Sequence, residues 1–432
     1  MKWKYVWGLL VGWLSVVGVG INYWRYLGGY DHPITYLVLL QNDTEMRANG
    51  GFFGSYAVAT AEQGQLELRF EDIYTPDGQL DGYVEPPKPI QTAFKQGSWR
   101  LRDSDWDPNF VTTAKTVRWF MDKGNEINLD VIMTVSLATV KKILEITGPI
   151  QIPDYELVLD SENIYQKLQA KVETDFFPGS TQKRDILTGA GQVLLTHLKN
   201  LSLGKKLTII QILYRELQNQ NILLNTNNTS LQKKLEKNNW AGELAIPNCS
   251  DGEHRCNLDT FLTVEANLGA NKANCSMARQ TIHTVEKQDE KIIHKVELMY
   301  TNKSEEENPQ LPDFFGGNYL QYVRFYLPKN STNVEVEASP TNPTTLPYYP
   351  EPYTLGPNNL EITEADEFRV VGFFHHTRAG TSSFIQLKYE LPNNGLEYEL
   401  HILKQHGMQS SPQEIKFGQR SETTALENDY VF

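Results

Sequence analysis

The sequence has little positive charge, few cysteines and no common catalytic signature. Lys and Arg number 40 against 53 Asp and Glu, which gives a formal net charge of −13. No basic run outweighs this acidity, so we expect no nucleic-acid partner. The chain contains no Walker loop, no dinucleotide fingerprint, no H-E-x-x-H motif and no Ser–His–Asp spacing. Repeats and coiled-coil heptads are also missing, and no familiar enzyme class is predicted from motifs alone.

The N-terminus carries the longest uncharged run. Lys2 and Lys4 precede an uncharged span at residues 5–24, and Arg25 follows it. About 20 apolar residues in a helix cross the hydrocarbon core of a bilayer. A secretory signal peptide would have a shorter run and a small-residue cleavage site, and neither is found here. We therefore predict an uncleaved single-pass anchor in the cell membrane, with the bulk of the chain extracytoplasmic. The alternative, a buried N-terminal helix, would leave a cytosolic soluble enzyme.

Three cysteines are compatible with an oxidising compartment. Cys249 and Cys256 bracket the polar turn "CSDGEHRC", which a local disulfide would close. A zinc site that includes His254 is the alternative, but two Cys and one His leave one ligand missing. Cys275 is then left over, and we expect it to be buried.

The pattern of apolar residues predicts two folded domains after the anchor, which covers residues 1–30. Strand-like and helix-like runs alternate over residues 31–245, and this alternation predicts an α/β domain with a mixed sheet flanked by helices. After Cys275, short β-rich runs are separated by Pro, Gly and Asn. Residues 246–432 therefore read as an all-β, sandwich-like domain.

The stretch "LLQNDTEMRANGGFFGSYAV" places an acid, an arginine and glycines between two strand-like runs. Glycines let backbone N–H groups approach an anion closely, and Arg47 could grip a phosphate or carboxylate. Glu45 would then orient Arg47 or bind a metal. The alternative is a tight hairpin at Gly50 and Gly51 with a surface ion pair.

The segment "WRLRDSDWDPNF" combines arginines with alternating Asp residues. Counted from Asp103, the sixth and twelfth positions are Pro and Ala, so the segment is not an EF-hand. A less regular Mg²⁺ or Ca²⁺ site is one interpretation. A polar loop in which Asp107 or Asn109 caps the next helix is the other.

Lys183 and Arg184 occur where a helix begins, in "TDFFPGSTQKRDIL". Cations at a helix N-terminus oppose the dipole preference for negative charge. They would suit a nearby anion, and ordinary solvated charges are the alternative.

Several of these motifs resemble a bacterial family known as domain of unknown function 4012. The resemblance rests on "QNDTEMRANGGFFGSY", "WRLRDSDWDPNFVTTA", "LEITGPIQIP" and "QKRDIL", with further likeness in "EANLGANKAN", "YLQYVRFYLP" and "LHILKQHG". It covers nearly all of the chain after the anchor. Asn109 stands where the family usually has Asp.

A more distant resemblance is to the LytR-CpsA-Psr family of membrane-anchored cell-wall glycopolymer transferases. It implies an α/β domain that binds a polyprenyl-pyrophosphate-linked glycan and transfers it with Mg²⁺, Asp and Arg. On this resemblance, the catalytic candidates are Glu45, Arg47 and Asp103, with Glu45 and Asp103 as candidate metal ligands. Candidate phosphate-binding residues are Gly50, Gly51, Arg102, Lys183 and Arg184. The family's R-S-D-T signature is replaced here by "GGFFGSY".

The sequence therefore predicts a membrane-anchored cell-envelope protein that binds or transfers a polyprenyl-linked glycan. The alternative is a non-enzymatic envelope binding or scaffold protein that keeps the fold without the chemistry.

Overall fold

A computed structural model gives the fold of this chain. It describes residues 20–432 except 96, 125–127, 169–181, 250–255, 306–315, 340–343, 346–351 and 354–356. The chain divides into two compact units. The first contains residues 1–43, 50–82 and 100–243, and the second contains residues 44–49, 83–99 and 244–432. The main division falls close to the predicted boundary at residue 245, but two short segments of the predicted α/β domain group with the second unit.

The first unit is built on a mixed five-stranded sheet with the strand order β3-β2-β1-β4-β7. Its strands are β1 Ile34–Arg47, β2 Gly50–Glu62, β3 Gln65–Asp72, β4 Val131–Ser136 and β7 Leu224–Thr226, and β5 Ile150–Ile152 pairs separately with β6 Leu157–Leu159. Its helices are α1 Gly20–Leu27, α2 Tyr74–Gln79, α4 Phe110–Lys123, α5 Leu137–Thr147, α6 Gln182–Asn200, α7 Leu203–Gln218 and α8 Thr229–Lys237. Helix α3, Lys88–Phe94, belongs to the second unit.

The helix α5 illustrates how local sequence sets these elements. The Ser136 hydroxyl accepts a hydrogen bond from the Thr139 backbone N–H at 3.1 Å, which satisfies one of the unpaired donors at the helix start. The helix ends at Gly148, whose φ of +82° favours glycine. Strand β4, which leads into α5, pairs in parallel with β1 from Tyr36↔Val131 onward. This order of parallel strand and helix gives the unit its α/β character.

Strand β1 is longer than the sequence predicts. The strand-like run Thr35–Leu40 continues through the polar residues to Arg47, and only residues 48 and 49 form the turn before β2. Gly50 has φ +123°, and a Cβ on Gly51 would lie 2.3 Å from the Asn42 carbonyl oxygen. The glycines are therefore required by the backbone of a tight hairpin, as the alternative interpretation expected.

The second unit contains two six-stranded sheets, as the β-rich pattern predicts. One sheet has the order β12-β17-β10-β9-β19-β20 and the other β15-β16-β11-β8-β18-β21. The strands are β8 Asn257–Asn267, β9 Met277–Lys287, β10 Lys291–Asn302, β11 Tyr319–Pro328, β12 Thr332–Ala338, β15 Glu361–Ala365, β16 Phe368–Thr377, β17 Ser382–Pro392, β18 Tyr398–Leu403, β19 Pro412–Phe417, β20 Arg420–Ala425 and β21 Tyr430–Val431. The strands β13 Thr344–Thr345 and β14 Pro352–Tyr353 form a separate pair.

Each unit has its own apolar core. In the first unit, Leu27, Ile34, Leu217 and Trp240 lie in one buried cluster. In the second, aromatic and aliphatic side chains of both sheets, among them Phe325, form another. Most pairings in the second unit are antiparallel, but β18 runs parallel to β8 and β19 parallel to β9.

Two predictions concern the N-terminus and the cysteines. Residues 1–19 lie outside the described residues, and in the remainder no helix is both long and apolar enough to cross a membrane. A disulfide joins Cys249 to Cys256, with the Cα atoms 6.0 Å apart. Cys275 is exposed, so the prediction that it is buried is wrong. Its thiol lies in the 3-10 turn after β8, where it donates to the Lys272 carbonyl at the surface.

Candidate functional site

The segment after Trp99 wraps around the carboxylate of Asp77, which lies in the first turn of the short helix α2. Asp77 accepts hydrogen bonds from the Leu101 backbone N–H at 2.7 Å and from Arg102 Nη1 at 3.1 Å. Arg100 Nη1 donates to the Asp77 carbonyl at 3.1 Å. Leu101 is buried and fixes the segment against the first unit. Asp77, Arg100, Arg102 and Asp103 form what we call the Arg102 cluster.

Arg102 is held firmly but is partly open to solvent. Its Nε lies 3.6 Å from Asp103 Oδ2, and its guanidinium lies over the ring of the exposed Tyr74, 5.4 Å from the centroid. The side chain is 29% exposed. Within the described residues, Nη2 makes no hydrogen bond. A fixed guanidinium with a free edge can bind an oxyanion, because little side-chain freedom remains to be lost.

Asp77 is the carboxylate that lies nearest to Arg102, at 3.1 Å against 3.6 Å for Asp103. Burial raises the pKa of the Asp77 carboxyl above its usual value, and Arg102 offsets only part of this rise. Removing Arg102 would take away one of the interactions that lower the pKa of this carboxyl, so the pKa of Asp77 would rise further.

The alternating Asp residues that follow are used mainly in the loop itself. Asp107 accepts from the Asn109 backbone N–H at 2.8 Å, and the Asn109 side chain caps α4 through the Val111 N–H at 3.1 Å. Asp103 and Asp105 are buried. Across the described residues, no three His, Cys, Asp or Glu side chains are grouped as metal ligands would be.

Glu45 and Arg47 lie in the second unit and are buried, so the alternative of a surface ion pair is wrong, while their predicted catalytic role stays a prediction. Arg47 Nη2 donates to Glu45 Oε1 at 2.9 Å, and Arg47 Nη1 donates to the Asn267 carbonyl. Arg47 is 4% exposed. The Gln405 side-chain amide donates to the Arg47 carbonyl at 2.9 Å. We call Glu45, Arg47, Asn267 and Gln405 the Arg47 cluster.

Gln405 also joins two of the sequence segments that carry the family resemblance. Its amide accepts from the Glu265 backbone N–H at 2.8 Å and donates to the Glu265 carbonyl at 2.9 Å. Beside it, His406 Nδ1 lies 3.3 Å from Asn49 Oδ1. Residues 44–49 and the segments "EANLGANKAN" and "LHILKQHG" therefore meet in the second unit, where they form a buried polar network.

Glu265 also anchors a second ion pair in this unit. Its carboxylate accepts two hydrogen bonds from Arg279, at 2.8 and 2.7 Å, and one from the Tyr319 hydroxyl at 2.8 Å. A cavity of about 50 Å³ borders this pair. That volume holds a few water molecules or one small chemical group. It does not hold a lipid-linked glycan.

Comparison with known families bears on the first part of the chain. Residues 31–172 match the family described as "Protein of unknown function (DUF4012)". This match confirms the predicted resemblance for the DUF4012 segment, which includes Glu45, Arg47, Asp77, Arg102 and Asp103. No curated protein matches the chain.

Solved structures similar to about half of the chain include proteins of the LytR-CpsA-Psr family. TagV of B. subtilis is 14% identical, with a TM-score of 0.29, over 49% of this chain and 80% of its own. TagU of B. subtilis is 13% identical, with a TM-score of 0.28, over 46% and 79%. Protein gbs0355 from Streptococcus agalactiae is 13% identical, with a TM-score of 0.31, over 49% and 74%. Likeness at this level assigns no function.

Of the remaining candidate phosphate-binding residues, the structure describes the side-chain environment of some but not of others. Gly50 and Gly51 of the DUF4012 segment lie in the hairpin already described. Lys183 and Arg184 begin helix α6, but their side chains lie outside the described residues. Their predicted role in phosphate binding stays a prediction.

Sequence reasoning missed Asp77 and the Glu265–Arg279 pair. Asp77 occurs in "YTPDGQLDG", where Pro and Gly indicate only a turn, and its partner Arg102 is 25 positions away. Glu265 was quoted within "EANLGANKAN" for resemblance alone. An acid two residues before Asn in a β-strand carries no signal of its own, so only the three-dimensional contacts identify it.

Proposed function

We propose that this chain is a membrane-anchored protein of the cell envelope whose first unit binds a polyprenyl-pyrophosphate-linked glycan through Arg102. The observation that carries the proposal is the arrangement of Arg102: Asp77 fixes its inner edge at 3.1 Å, while its outer edge faces solvent beside Tyr74. An arginine held in this way recognises phosphate oxygens in defined directions. Arg100, anchored on the same residue, adds a second guanidinium nearby.

The proposal is one of binding and not of transfer. Transfer chemistry on the predicted pattern would need Glu45 and Arg47 to reach the substrate, and both are buried in contacts with each other and with the second unit's backbone. The resemblance to glycopolymer transferases supports the substrate class. Asp103 would be the residue that holds Mg²⁺, and the cation would neutralise negative charge on the pyrophosphate.

Anchoring is supported by the uncharged residues 5–24 and by the disulfide between Cys249 and Cys256, which suits an oxidising compartment. Protease added to intact spheroplasts should digest the chain after Arg25, while a cytoplasmic marker stays whole. Full protection of that region would contradict the extracytoplasmic location.

The binding test compares wild type, Arg102→Ala and Arg420→Ala in the full chain. Arg420 is a matched control, because it also pairs with a carboxylate at 3.1 Å but lies in the second unit. A charge-assisted arginine contact contributes about 1.5–3 kcal/mol, so Arg102→Ala should weaken binding of a polyprenyl-pyrophosphate lipid by about tenfold or more. Arg420→Ala should leave it unchanged.

Two further arms make this test specific. Inorganic pyrophosphate separates recognition of the phosphates from recognition of the lipid, and EDTA tests the role of Mg²⁺. Thermal melts of each variant show that the fold is retained. Equal affinity of wild type and Arg102→Ala, or no binding by wild type, would remove the phosphate-binding function.

A further inference from the structure

Helix α7 exposes an apolar stripe that no part of the proposed glycan site uses. Leu203 is 73% exposed, Leu207 51% and Tyr214 40%, and these residues are among the most exposed large apolar side chains of the described chain. At 3.6 residues per turn, the three side chains fall within an arc of about 40°. We call Leu203, Leu207 and Tyr214 the α7 stripe.

The solvent-facing charges on this helix are of one sign. Lys205, Lys206 and Arg215 are its basic residues, and the only acidic residue between Leu203 and Gln218 is Glu216. Glu216 is buried and bonded to Lys142 Nζ at 2.6 Å. The surface of α7 is therefore apolar and basic in a chain of net charge −13. That combination matches a bilayer with anionic headgroups.

Beside the stripe, α7 packs close to the point where the chain would leave the membrane. Ile210 and Leu213 pack against the core cluster that contains Leu27, and Tyr23 and Trp24 of α1 pack against the same cluster. Helix α1 begins at Gly20, inside the uncharged residues 5–24. An anchor that ends at α1 brings the first unit, and with it α7, to the surface of the membrane.

We propose that the α7 stripe lies on the anionic surface of the membrane, with Lys206 and Arg215 flanking it and reaching the phosphates. The inference rests on the anchoring in the proposed function. Docking of this kind buries the apolar side chains at the level of the headgroups and orients the first unit relative to the bilayer. A lipid-linked substrate in the same bilayer would then meet the first unit in a defined orientation.

The test uses the full chain reconstituted in vesicles of phosphatidylcholine and phosphatidylglycerol, with Cys275→Ser so that one introduced thiol carries a fluorophore. Leu207→Cys reports on the stripe. Ile362→Cys is its matched control, because Ile362 is also 51% exposed but lies on β15 of the second unit. An apolar face seated about 5–10 Å into the interface should be quenched by lipids with a shallow spin label at least about twofold more than the control.

Three outcomes separate this inference from the anchor. Flotation of the protein with equal quenching at positions 207 and 362 would overturn the docking and leave the anchor intact. Failure to float in high salt would remove both. If labels at position 207 of two chains lie close together in detergent without lipid, the stripe is an interface with a second copy of the chain. That result would overturn docking on the membrane. In support, Lys206→Glu with Arg215→Glu should lower the quenching at position 207 and leave position 362 unchanged.

Discussion

The Arg102 cluster of the first unit and the Arg47 cluster of the second each pair an arginine with a carboxylate, yet solvent reaches only the first. Arg102 is 29% exposed in its side chain and Arg47 5%. Arg102 keeps one edge free of partners within the described residues, whereas Arg47 also donates to the Asn267 carbonyl. An exposed arginine with a free edge can exchange partners with a ligand. A buried one is part of the packing, and its loss is felt as instability.

The largest expected contrast between the units is their response to acid. Burial lowers the pKa of His283, His375 and His406 in the second unit to about 3. In the unfolded chain each imidazole takes up its proton near pH 6.5. The neutral histidines therefore stabilise the fold fully above that pH, and the free energy of unfolding falls by about 1.4 kcal/mol per pH unit for each residue as the pH drops toward 3. Burial raises the pKa of Asp77 and Asp43 in the first unit, which acts in the opposite direction.

Hydrogen exchange at about pH 7.5 and about pH 5 should therefore show peptides of the second unit losing protection before those of the first. His406→Gln should make the protection of the second unit depend less steeply on pH. If both units lost protection from exchange equally, the assignment of these three imidazoles as neutral in the folded chain would be wrong.

Arg47→Ala should have the next largest effect. Breaking a buried ion pair leaves Glu45 without its partner and is expected to cost about 3–5 kcal/mol. Urea unfolding of the variant, beside the matched surface variant Arg420→Ala, measures this. If Arg47→Ala were as stable as Arg420→Ala and instead lost lipid binding, then Arg47 would be a ligand-binding residue and the contrast between the clusters would fail.

Gly51→Ala tests the predicted phosphate-binding glycines. A Cβ there would lie 2.3 Å from a backbone oxygen, and such overpacking is expected to cost about 1–3 kcal/mol. Gly204→Ala is the control, because its Cβ meets nothing within 4 Å and helix α7 should become slightly more stable. Reduced affinity for pyrophosphate in Gly51→Ala with unchanged stability would restore the anion-binding interpretation.

The smallest stability effect is expected for Arg102→Ala. Partly exposed ion pairs contribute about 1 kcal/mol or less, and the Asp77 carboxyl left behind can take up a proton. The same urea series that includes Arg47→Ala checks this. If Arg102→Ala lowered the free energy of unfolding as much as Arg47→Ala, Arg102 would be a structural residue. Arg102→Lys would then be needed to separate its role in binding from its role in stability.

Local sequence predicted much of the first unit, because its signals act over a few residues. Ser136 and Gly148 bracket α5 at positions where Ser and Gly ordinarily begin and end helices, and the strand-like run at Thr35–Leu40 lies within β1. The extension of β1 to Arg47 was not predictable, because a run of Asn, Asp, Thr and Glu reads as a loop. Its last residue, Arg47, is buried and bonded to Asn267 and Gln405, which lie 220 and 358 positions away.

Only part of the candidate site could be predicted from the sequence, again because some contacts join residues that are far apart in the chain. The segment with Arg102 and Asp103 was identified, but Asp77, which fixes Arg102, carried no signal. Which arginine is exposed depends on the packing of whole units, and the alternation of charges in the sequence does not contain that information.

The bond between Gln405 and the Arg47 carbonyl also has a consequence for biogenesis. Its two residues are 358 positions apart, and both belong to the second unit. The second unit cannot be completed until the C-terminal part of the chain has been synthesised, because residues 44–49, near the start, wait for a partner that is made near the end. Loop closure over such a distance is slow compared with local pairing. A chain truncated before residue 400 would leave the Arg47 carbonyl without the Gln405 side chain, and we expect it to be degraded.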